Sequence, residues 1–504
     1  MLAGLPRVTI EADGRALAPE VMRALGAVRV QQRLSLPALC ELRFFDPPGP
    51  LDVESALDIG ARFRLTLDGQ PTPLFDGQVT AVEYLYEPSH GREIRVRGYD
   101  ALHTLRKRQS LRAHVQVNLS DLAQEFVAGL GITVQAAETG PFWPYLIQHR
   151  QSDLELLVEL ADRCGLYLTL HDEMLHLITL EGIGDSVALA LGQSLFEARI
   201  DVNGDPACRS VAASGWNPAR GEMFQGEASA ARVGRSTEAA AAPDRFGVDG
   251  HRALAGALSP DADHVQGLAQ AELDRRQARE VTLRGVAEGD PRLRPGTPVE
   301  ITGVAERVSG RYVLTGTTHL IDRRQGYVTE FSTEPPSMRE PQRGAVAAPG
   351  RVTQIDDPDG LGRVRVRLPT FEDVETDWLS VLTTAAGEGK GLIALPEIGD
   401  LVLVLLAHDD PGQGVVLGGL YGSLTPPDTG IEGGARQRFS FLTPGGQRVS
   451  LDDAENVLRL ENSAGSFMEL TPDRVRLHAA ADLEIEAPGK SIVIRGQAID
   501  FTQG

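Results

Sequence analysis

Cysteine, aromatic residues and positive charge are all scarce in this chain of 504 residues. Its three cysteines, Cys40, Cys164 and Cys208, cannot build a disulfide scaffold, and an odd number leaves at least one thiol unpaired. Lys and Arg number 49 against 70 Asp and Glu, so the net charge of -21 repels phosphate backbones and anionic lipid surfaces. These deficits exclude a disulfide-rich scaffold and disfavour a nucleic-acid or membrane-surface binder.

Long apolar runs are also missing. The longest, residues 401–407, is far shorter than the about 20 residues that a membrane-spanning helix needs. The N-terminus has no basic segment followed by an apolar one. The sequence therefore predicts a protein that is assembled in the cytoplasm without a signal peptide.

Short alternating segments separated by Gly, Pro and Asp are what the chain does have. Period-two alternation with closely spaced turn residues predicts a mainly β protein. A few helices interrupt it. Ser152 and Glu155 have capping-box spacing ahead of a helix that Gly165 can end, and residues 121–128 and 263–278 are further helical candidates.

Composition shifts along the chain predict its domains. Residues 221–256 are rich in Ala, Gly and Ser, which we interpret as a long loop or mobile insertion. Pro- and Gly-rich stretches at 334–350 and 421–436 predict linkers. The predicted parts are a large region at 1–345, a small domain at 346–425, a linker at 426–435 and a C-terminal piece at 436–504.

The small domain carries the most specific motifs. Its roughly five short strands fit a closed barrel of the OB type. In order, GRV (350–352), DGLGRVRVRLP (359–369), PEIGDLVLV (396–404) and VVLGGLY (415–421) resemble the OB domain of spike proteins of contractile injection systems. That family includes the VgrG proteins of type VI secretion, the spikes of extracellular injection particles and the hub–spike proteins of phage tails.

The first 345 residues resemble the hub of the same family. The segments that carry this resemblance are LFDGQV (74–79), RGYDALH (97–103), PRLRPG (291–296), VEITG (299–303) and RYVLTGTTH (311–319). The resemblance implies two similar hub β-barrels per chain, so that three chains form a ring of six barrels matching a sixfold inner tube. No internal repeat is evident in the sequence itself.

The C-terminal piece alternates between apolar and polar residues around 447–451, 474–478, 482–486, 491–495 and 498–501. Three copies wound about one axis would bury the apolar face and pair the strand edges, which predicts a trimeric β-prism or β-helical needle. A small β-sandwich covered by the chain's own OB barrel is the alternative. The predicted trimer core is Val449, Leu451, Val475, Leu477, Leu483, Ile485, Ile492 and Ile494.

The predicted function is structural and non-enzymatic. The resemblance implies a homotrimeric spike and hub that adapts a sixfold tube to a threefold needle and pierces the target membrane on sheath contraction. Residues 436–504 hold 8 basic and 10 acidic side chains, a net charge of -2, so membrane contact would be mechanical. A baseplate hub–spike protein of a phage tail is the alternative.

Partners follow from the same resemblance. They are a PAAR-type tip protein, inner-tube and baseplate proteins, and cargo effectors as a further class, in a particle that acts extracellularly at the target cell surface. Ile499, Phe501 and Thr502 are the predicted docking residues for the tip protein. Because the chain ends at Gly504, we expect no appended toxin domain.

No catalytic site, metal site or cofactor is predicted. His171 and His176 flank a hairpin with no third ligand in evident reach, and His478 stands alone. Two rivals from other classes are an OB-fold nucleic-acid-binding protein and a β-helical glycan-processing enzyme. The enzyme would need clustered acidic residues, and Asp482, Glu484 and Glu486 offer only a solvated strand edge.

Overall fold

The computed structural model describes residues 5–47, 56–87, 91–240, 243–337, 344–408 and 410–502. The described chain is mostly β, as predicted. It divides into two compact units, with the division between Leu420 and Tyr421. None of the described helices combines the length and apolar character that a bilayer-crossing segment needs.

The first β half lies near the N-terminus. Its elements are β1 (Val8–Ala12), β2 (Arg15–Ala16), α1 (Pro19–Ala24), β3 (Leu25–Arg33), β4 (Leu36–Phe45), β5 (Arg62–Leu67), β6 (Phe75–Glu87) and β7 (Gly91–Tyr99). Alternate side chains of these strands point into one core, where Val30, Leu42, Leu65 and Val96 are completely buried.

A mixed subdomain follows the first half. It contains β8 (Arg112–Val117), α2 (Leu119–Val127), β9 (Thr133–Ala136), β10 (Trp143–Gln148), α3 (Asp153–Cys164), β11 (Tyr167–His171) and β12 (Met174–Ile178). The predicted capping box is present, since Ser152 and Glu155 each accept from the other's backbone amide. Gly165 ends the helix with a left-handed φ of 69°, which glycine adopts without strain.

The second β half is interrupted by an insertion. The order is β13 (Val187–Ala190), β14 (Leu195–Val202), the insertion β15 (Ser210–Asn217), β16 (Glu222–Ala228), β17 (His251–Leu258) and α4 (Ala262–Glu280), then β18 (Val281–Glu288), β19 (Pro298–Thr302), β20 (Gly310–Val313), β21 (Gly316–Asp322) and β22 (Gly326–Ser332). Its core is separate from that of the first half and includes Leu195, Leu283, Ile301 and Leu314.

The prediction of a long loop at 221–256 is wrong for two of its segments. β16 and β17 lie there, on either side of β15 in a three-stranded sheet. The small residues that suggested a loop instead allow close packing. A Cβ on Gly226 would lie 2.6 Å from the backbone of Gln266 in α4, so the strand and helix can approach only where the side chain is missing.

The two β halves repeat one strand order, which the sequence did not reveal. The first half runs β3–β4–β7–β6–β5–β1. The second half runs β14–β18–β22–β21 in the same sheet. Its remaining strands form a separate sheet in the order β20–β19–β13, and β20 comes directly before β21 in the chain. The long β6 corresponds to β20 and β21 together, because only its residues 75–78 pair with β5. One difference is that β13 runs parallel to β19, whereas β1 and β5 are antiparallel.

The halves are joined edge to edge. β3 of the first half pairs antiparallel with β21 of the second, from Arg33 opposite Gly316 to Ala27 opposite Asp322. This pairing makes one continuous sheet of eleven strands among the described residues. At its ends, β14 has β18 as its single partner strand in the described part of the chain, and β2 has β1.

The OB domain completes the first unit. Its sheet consists of β23 (Ala345–Gln354), β24 (Arg365–Leu368), β25 (Val374–Glu375), β26 (Ser380–Val381), β27 (Leu401–Ala407) and β28 (Gly414–Gly419). Although all seven residues of β27 are apolar, the strand is not buried on both faces. Val402, Val404 and Leu406 are buried, but Leu405 is 38% exposed, so β27 covers the barrel core with one face only.

The second unit contains β29 (Ile431–Glu432), β30 (Ala435–Arg436), β31 (Arg438–Leu442), β32 (Arg448–Asp452), β33 (Val457–Glu461), β34 (Phe467–Leu470) and β35 (Val475–His478). The last five form an antiparallel meander, called here the C-terminal sheet. The strands predicted at 482–486, 491–495 and 498–501 are not formed within this chain, because that segment pairs with no described strand.

Candidate functional site

The C-terminal sheet has one wholly apolar face, because its register aligns the apolar positions of all five strands. Directly opposed residues of an antiparallel pair lie on the same face. Two rows of five cross the sheet in this way. They are Phe439, Leu451, Leu458, Leu470 and Val475, and next to them Phe441, Val449, Leu460, Met468 and Leu477. We call these ten residues the apolar face.

The second unit does not bury the apolar face by itself. Val475 is 69% exposed and Leu477 is 60% exposed. Among the described residues after Tyr421, Gly430 alone is buried, so this unit has no hydrophobic core of its own. Burying each of these side chains is worth about 1.5–3 kcal/mol, and exposed apolar patches of this size mark interaction surfaces.

The opposite face is polar and internally paired. Arg459 donates to Glu461 at 3.0 Å and to Glu469 at 2.9 Å. Its guanidinium also lies 4.0 Å from the centre of the Phe467 ring, a cation–π distance. These contacts satisfy the charged groups in solvent, so the polar face requires no partner.

The segment before the sheet is tied to this polar face. Asp428 accepts from Arg438 at 3.0 Å, from Arg448 at 2.6 Å and from the hydroxyl of Ser440 at 3.1 Å. The Arg438 hydrogen bond holds the pKa of Asp428 well below its usual range, so the carboxylate keeps its charge in acid. Residues of the predicted linker thus contact the sheet through Asp428.

The predicted trimer-core residues fall into three groups. Val449, Leu451, Val475 and Leu477 belong to the apolar face. A groove of about 490 Å³ on that face is lined in part by Leu483. The remaining residues, Ile485, Ile492 and Ile494, are 62%, 51% and 62% exposed on the segment without a described partner strand.

Sequence reasoning missed six members of the apolar face. They lie on β31, β33 and β34 and are Phe439, Phe441, Leu458, Leu460, Met468 and Leu470. The signal was available, because Arg438–Leu442 and Val457–Glu461 both alternate polar and apolar residues.

The predicted tip-docking residues lie at the end of the described chain. Ile499 is 48% exposed and Phe501 is 89% exposed, and Thr502 is also exposed. An aromatic ring this exposed is unusual, since burying it would be worth about 1.5–3 kcal/mol.

The histidines singled out in the sequence have ordinary structural neighbours. His171 Nε2 donates to the carbonyl oxygen of Pro295 at 2.9 Å, and its ring centre lies 5.4 Å from that of His176. His478 packs against Phe467 with 5.0 Å between ring centres. The described residues contain no group of three or more His, Cys, Asp or Glu side chains placed to hold a metal ion.

Two protein families match the chain. Residues 348–421 match the type VI secretion system/phage-baseplate injector OB domain, which coincides with β23–β28. Residues 62–323, more than half of the 504 residues, match the Alg8 N-terminal domain.

Two curated type VI secretion spike proteins of Pseudomonas aeruginosa are similar in sequence. VgrG4b is 29% identical over 181 residues, covering 32% of this chain and 21% of the relative. VgrG1c is 26% identical over 260 residues, covering 45% of this chain and 34% of the relative. The alignments thus span about a fifth and a third of the relatives' own length.

Solved structures share the fold. The E. coli c3393 protein is a type VI secretion component described as similar to the T4 tail proteins gp27 and gp5. It matches with a TM-score of 0.53 at 13% identity, over 82% of this chain and 99% of that chain. A chain of the lidless PdpA–VgrG complex matches with a TM-score of 0.55 at 8% identity, over 94% and 99%.

The mainly β fold, the OB domain and these similarities show that the chain is similar to VgrG-type spike proteins and shares the fold of solved type VI secretion proteins. Because the match at residues 62–323 covers more than half of the chain, the protein belongs to the family of the Alg8 N-terminal domain.

Proposed function

We propose that this protein is the homotrimeric, non-enzymatic spike and hub at the tip of the inner tube of a contractile injection system. The apolar face of the C-terminal sheet carries the proposal. Its ten side chains lie in register across five strands. Seven of them are exposed and the other three are only partly buried. Three copies meeting on these faces would form the shaft of a needle.

The energetics favour association. Burial at about 1.5–3 kcal/mol for each side chain gives about 15–30 kcal/mol for ten, as an upper bound. Association costs about 4–15 kcal/mol in lost translational and rotational freedom. The surplus supports a permanent trimer. Partner chains would also supply backbone hydrogen bonds to residues 482–501, which pair with no described strand of their own chain.

The hub would adapt the needle to the tube. Each chain contributes two β halves with one strand order, so three chains provide six similar units. A ring of six fits a sixfold inner tube on one side, while the three C-terminal sheets form a threefold needle on the other. Sheath contraction would supply the force, and the needle would pierce the target membrane mechanically.

The partners proposed are a PAAR-type tip protein at the needle end, and inner-tube and baseplate proteins around the hub. Cargo effectors are a further class. The particle would be assembled in the cytoplasm and act extracellularly at the target cell surface. A phage tail baseplate hub is the second candidate, favoured by the family description that joins injector and phage-baseplate OB domains.

Neighbouring residues of β32 test the proposal. Val449 lies on the apolar face and Ser450 on the polar face. We expect the wild-type chain to have three times the monomer mass by light scattering. Val449→Asp should destroy or weaken the trimer at micromolar concentration, because it would bury an unpaired charge, while Ser450→Asp should leave it intact.

A stable monomer in the wild type would overturn the proposed function. If the Val449→Asp and Ser450→Asp trimers dissociate at the same concentration on dilution, the apolar face does not contribute to the interface. A gel-shift assay at physiological salt separates the nucleic-acid-binding rival, for which we expect no retardation.

A further inference from the structure

We infer that the hub ring closes through a second edge-to-edge strand pairing, in which β14 of one chain pairs antiparallel with the outer edge of β6 in the next chain. This inference rests on the proposed trimer and names the strands and register that join its hubs. The inference follows from the internal repeat. Each half has one edge like that of β3 and one edge like that of β21, but a single chain joins only one such pair, β3 with β21. The corresponding edges of β14 and β6 remain for a neighbouring chain.

The positions that correspond between the two halves follow from the strand registers. The β6–β7 turn closes at Glu87 and Gly91, and the β21–β22 turn at Asp322 and Gly326, with three residues between in each. Counting back two residues from each turn, Leu85 corresponds to Leu320.

The same counting relates β3 to β14. Six residues after Gly91 and Gly326, where the two turns end, lie Arg97 and Ser332. Arg97 pairs with Glu41, and Ser332 pairs with Arg284. Glu41 in turn pairs with Arg29, and Arg284 with Arg199. Arg29 therefore corresponds to Arg199, and the triplet Val-Arg-Val at 28–30 to Ala-Arg-Ile at 198–200.

The junction within the chain predicts the junction between chains. β3 places Arg29 opposite Leu320. The corresponding pair is Arg199 opposite Leu85 of the partner subunit, which also sets Ile200 opposite Tyr84 of the partner subunit. Among the described residues, no strand occupies the outer edge of β14 or the edge of β6 beyond Val79.

The corresponding positions on β21 and β6 differ in burial, because β21 has a neighbouring strand at this edge and β6 does not. Within the chain, His319 is 0% exposed and Ile321 is 5% exposed, because β3 covers them. Their counterparts Tyr84 and Tyr86 are 42% and 72% exposed, and Val202 on β14 is 40% exposed. Pairing β14 with β6 would bring these apolar side chains together on one face.

Charges on the other face are mixed. Arg199 lies opposite Arg284 within the chain, an unfavourable pair, and would gain a diagonal neighbour in Glu83 of the partner subunit. Asp201 would lie opposite that same glutamate. Arg95 and Arg97 lie 3.7 and 3.9 Å from Glu83 and offset part of this repulsion. The apolar pairs therefore determine the register.

Disulfide trapping in the full chain tests the inference. The pair Arg199→Cys with Leu85→Cys is oxidised and analysed on a non-reducing denaturing gel, and we expect covalent dimers and trimers. The matched control is Arg29→Cys with Leu320→Cys, the corresponding pair within one chain, which should cross-link without changing the mass. Native Cys40, Cys164 and Cys208 are buried, and each single variant controls for their background.

The outcomes separate the two proposals. The strand pairing would be overturned if the protein is a trimer by light scattering and the control pair forms its disulfide within one chain, but the Arg199→Cys and Leu85→Cys pair forms no disulfide between chains. That result would leave the proposed spike function standing. Interchain disulfides in a chain whose trimer survives Val449→Asp would support the hub junction and count against the apolar face. A monomer without interchain disulfides would overturn both.

Discussion

Val30 of β3 and His319 of β21 lie directly opposite each other where the two halves of the hub join, and both are completely buried. The His319 Nδ1 atom lies 3.1 Å from the hydroxyl of Tyr327 and 3.0 Å from that of Thr329. A neutral imidazole therefore sits inside the junction that makes one sheet of two halves. Protonating it would place a charge in an apolar core.

The first prediction concerns acid. Burial lowers the pKa of His319 from 6.5 to about 3, and Arg294 adds to the effect. The unfolded chain takes up this proton near pH 6.5 and the folded chain only near pH 3. Stability should thus be lost as pH falls through this window, by about 1.4 kcal/mol per pH unit. Thermal unfolding from pH 7 to 4 measures this.

His319→Gln is the informative variant for this prediction. Its midpoint at pH 7 should be lower, but its midpoint should fall less steeply with acid. Some slope will remain, because burial also lowers the pKa of His171 to about 4. If the unfolding midpoint falls equally steeply with acid in the variant and the wild type, protonation of His319 is not a cause of the loss of stability.

The second prediction concerns the OB domain. Arg363 donates to both carboxylate oxygens of Asp357, at 2.9 and 2.6 Å, and only 3% and 6% of the Asp357 and Arg363 side chains are exposed. This holds the pKa of Asp357 well below its usual range. Asp357→Asn should lower the free energy of unfolding by about 1.5–3 kcal/mol, measured with denaturant.

Asp359→Asn is the matched control, since Arg363 also contacts Asp359 but that side chain is 48% exposed. Its expected cost is under about 1 kcal/mol. If both substitutions cost the same, the enclosed pair is no stronger than an ordinary surface ion pair.

The third prediction compares two glycines at the interface of the insertion. Gly226→Ala should destabilise by about 1–3 kcal/mol, because its Cβ would meet the backbone of Gln266 at 2.6 Å. Gly267→Ala lies in α4, where a Cβ would come no closer than 3.6 Å to other residues. It should stabilise by about 0.5–1 kcal/mol, as helical alanine does. Shifts of the same sign in thermal unfolding would contradict this packing.

The fourth prediction concerns the needle end. Removing residues 492–504 should abolish capture of a PAAR-type tip protein and leave the protein trimeric, because the apolar face lies before this segment. Phe501→Asp should weaken capture at least tenfold, whereas Gln497→Ser should not. Unchanged capture by the truncated protein would refute the docking residues.

Local patterns in the sequence were enough for several features. The capping box at Ser152 and the stop at Gly165 depend on residues within one or two helical turns, so spacing alone predicts them. Alternation predicted β32 and β35, because the two faces of a strand follow from its own period. The OB domain was recognised because many short motifs occur in a set order.

Features that depend on distant segments were decided only by the tertiary structure. Gly226 belongs to a strand because α4, some forty residues later, packs against it. The strand repeat between the halves is invisible in sequence, since strand order depends on pairing between residues such as Arg29 and Leu320. The apolar face likewise exists because the four strand pairings of the C-terminal sheet agree in register. Alternation can be read from the sequence alone, because it depends on neighbouring residues, whereas the residue opposite each position depends on how the chain folds.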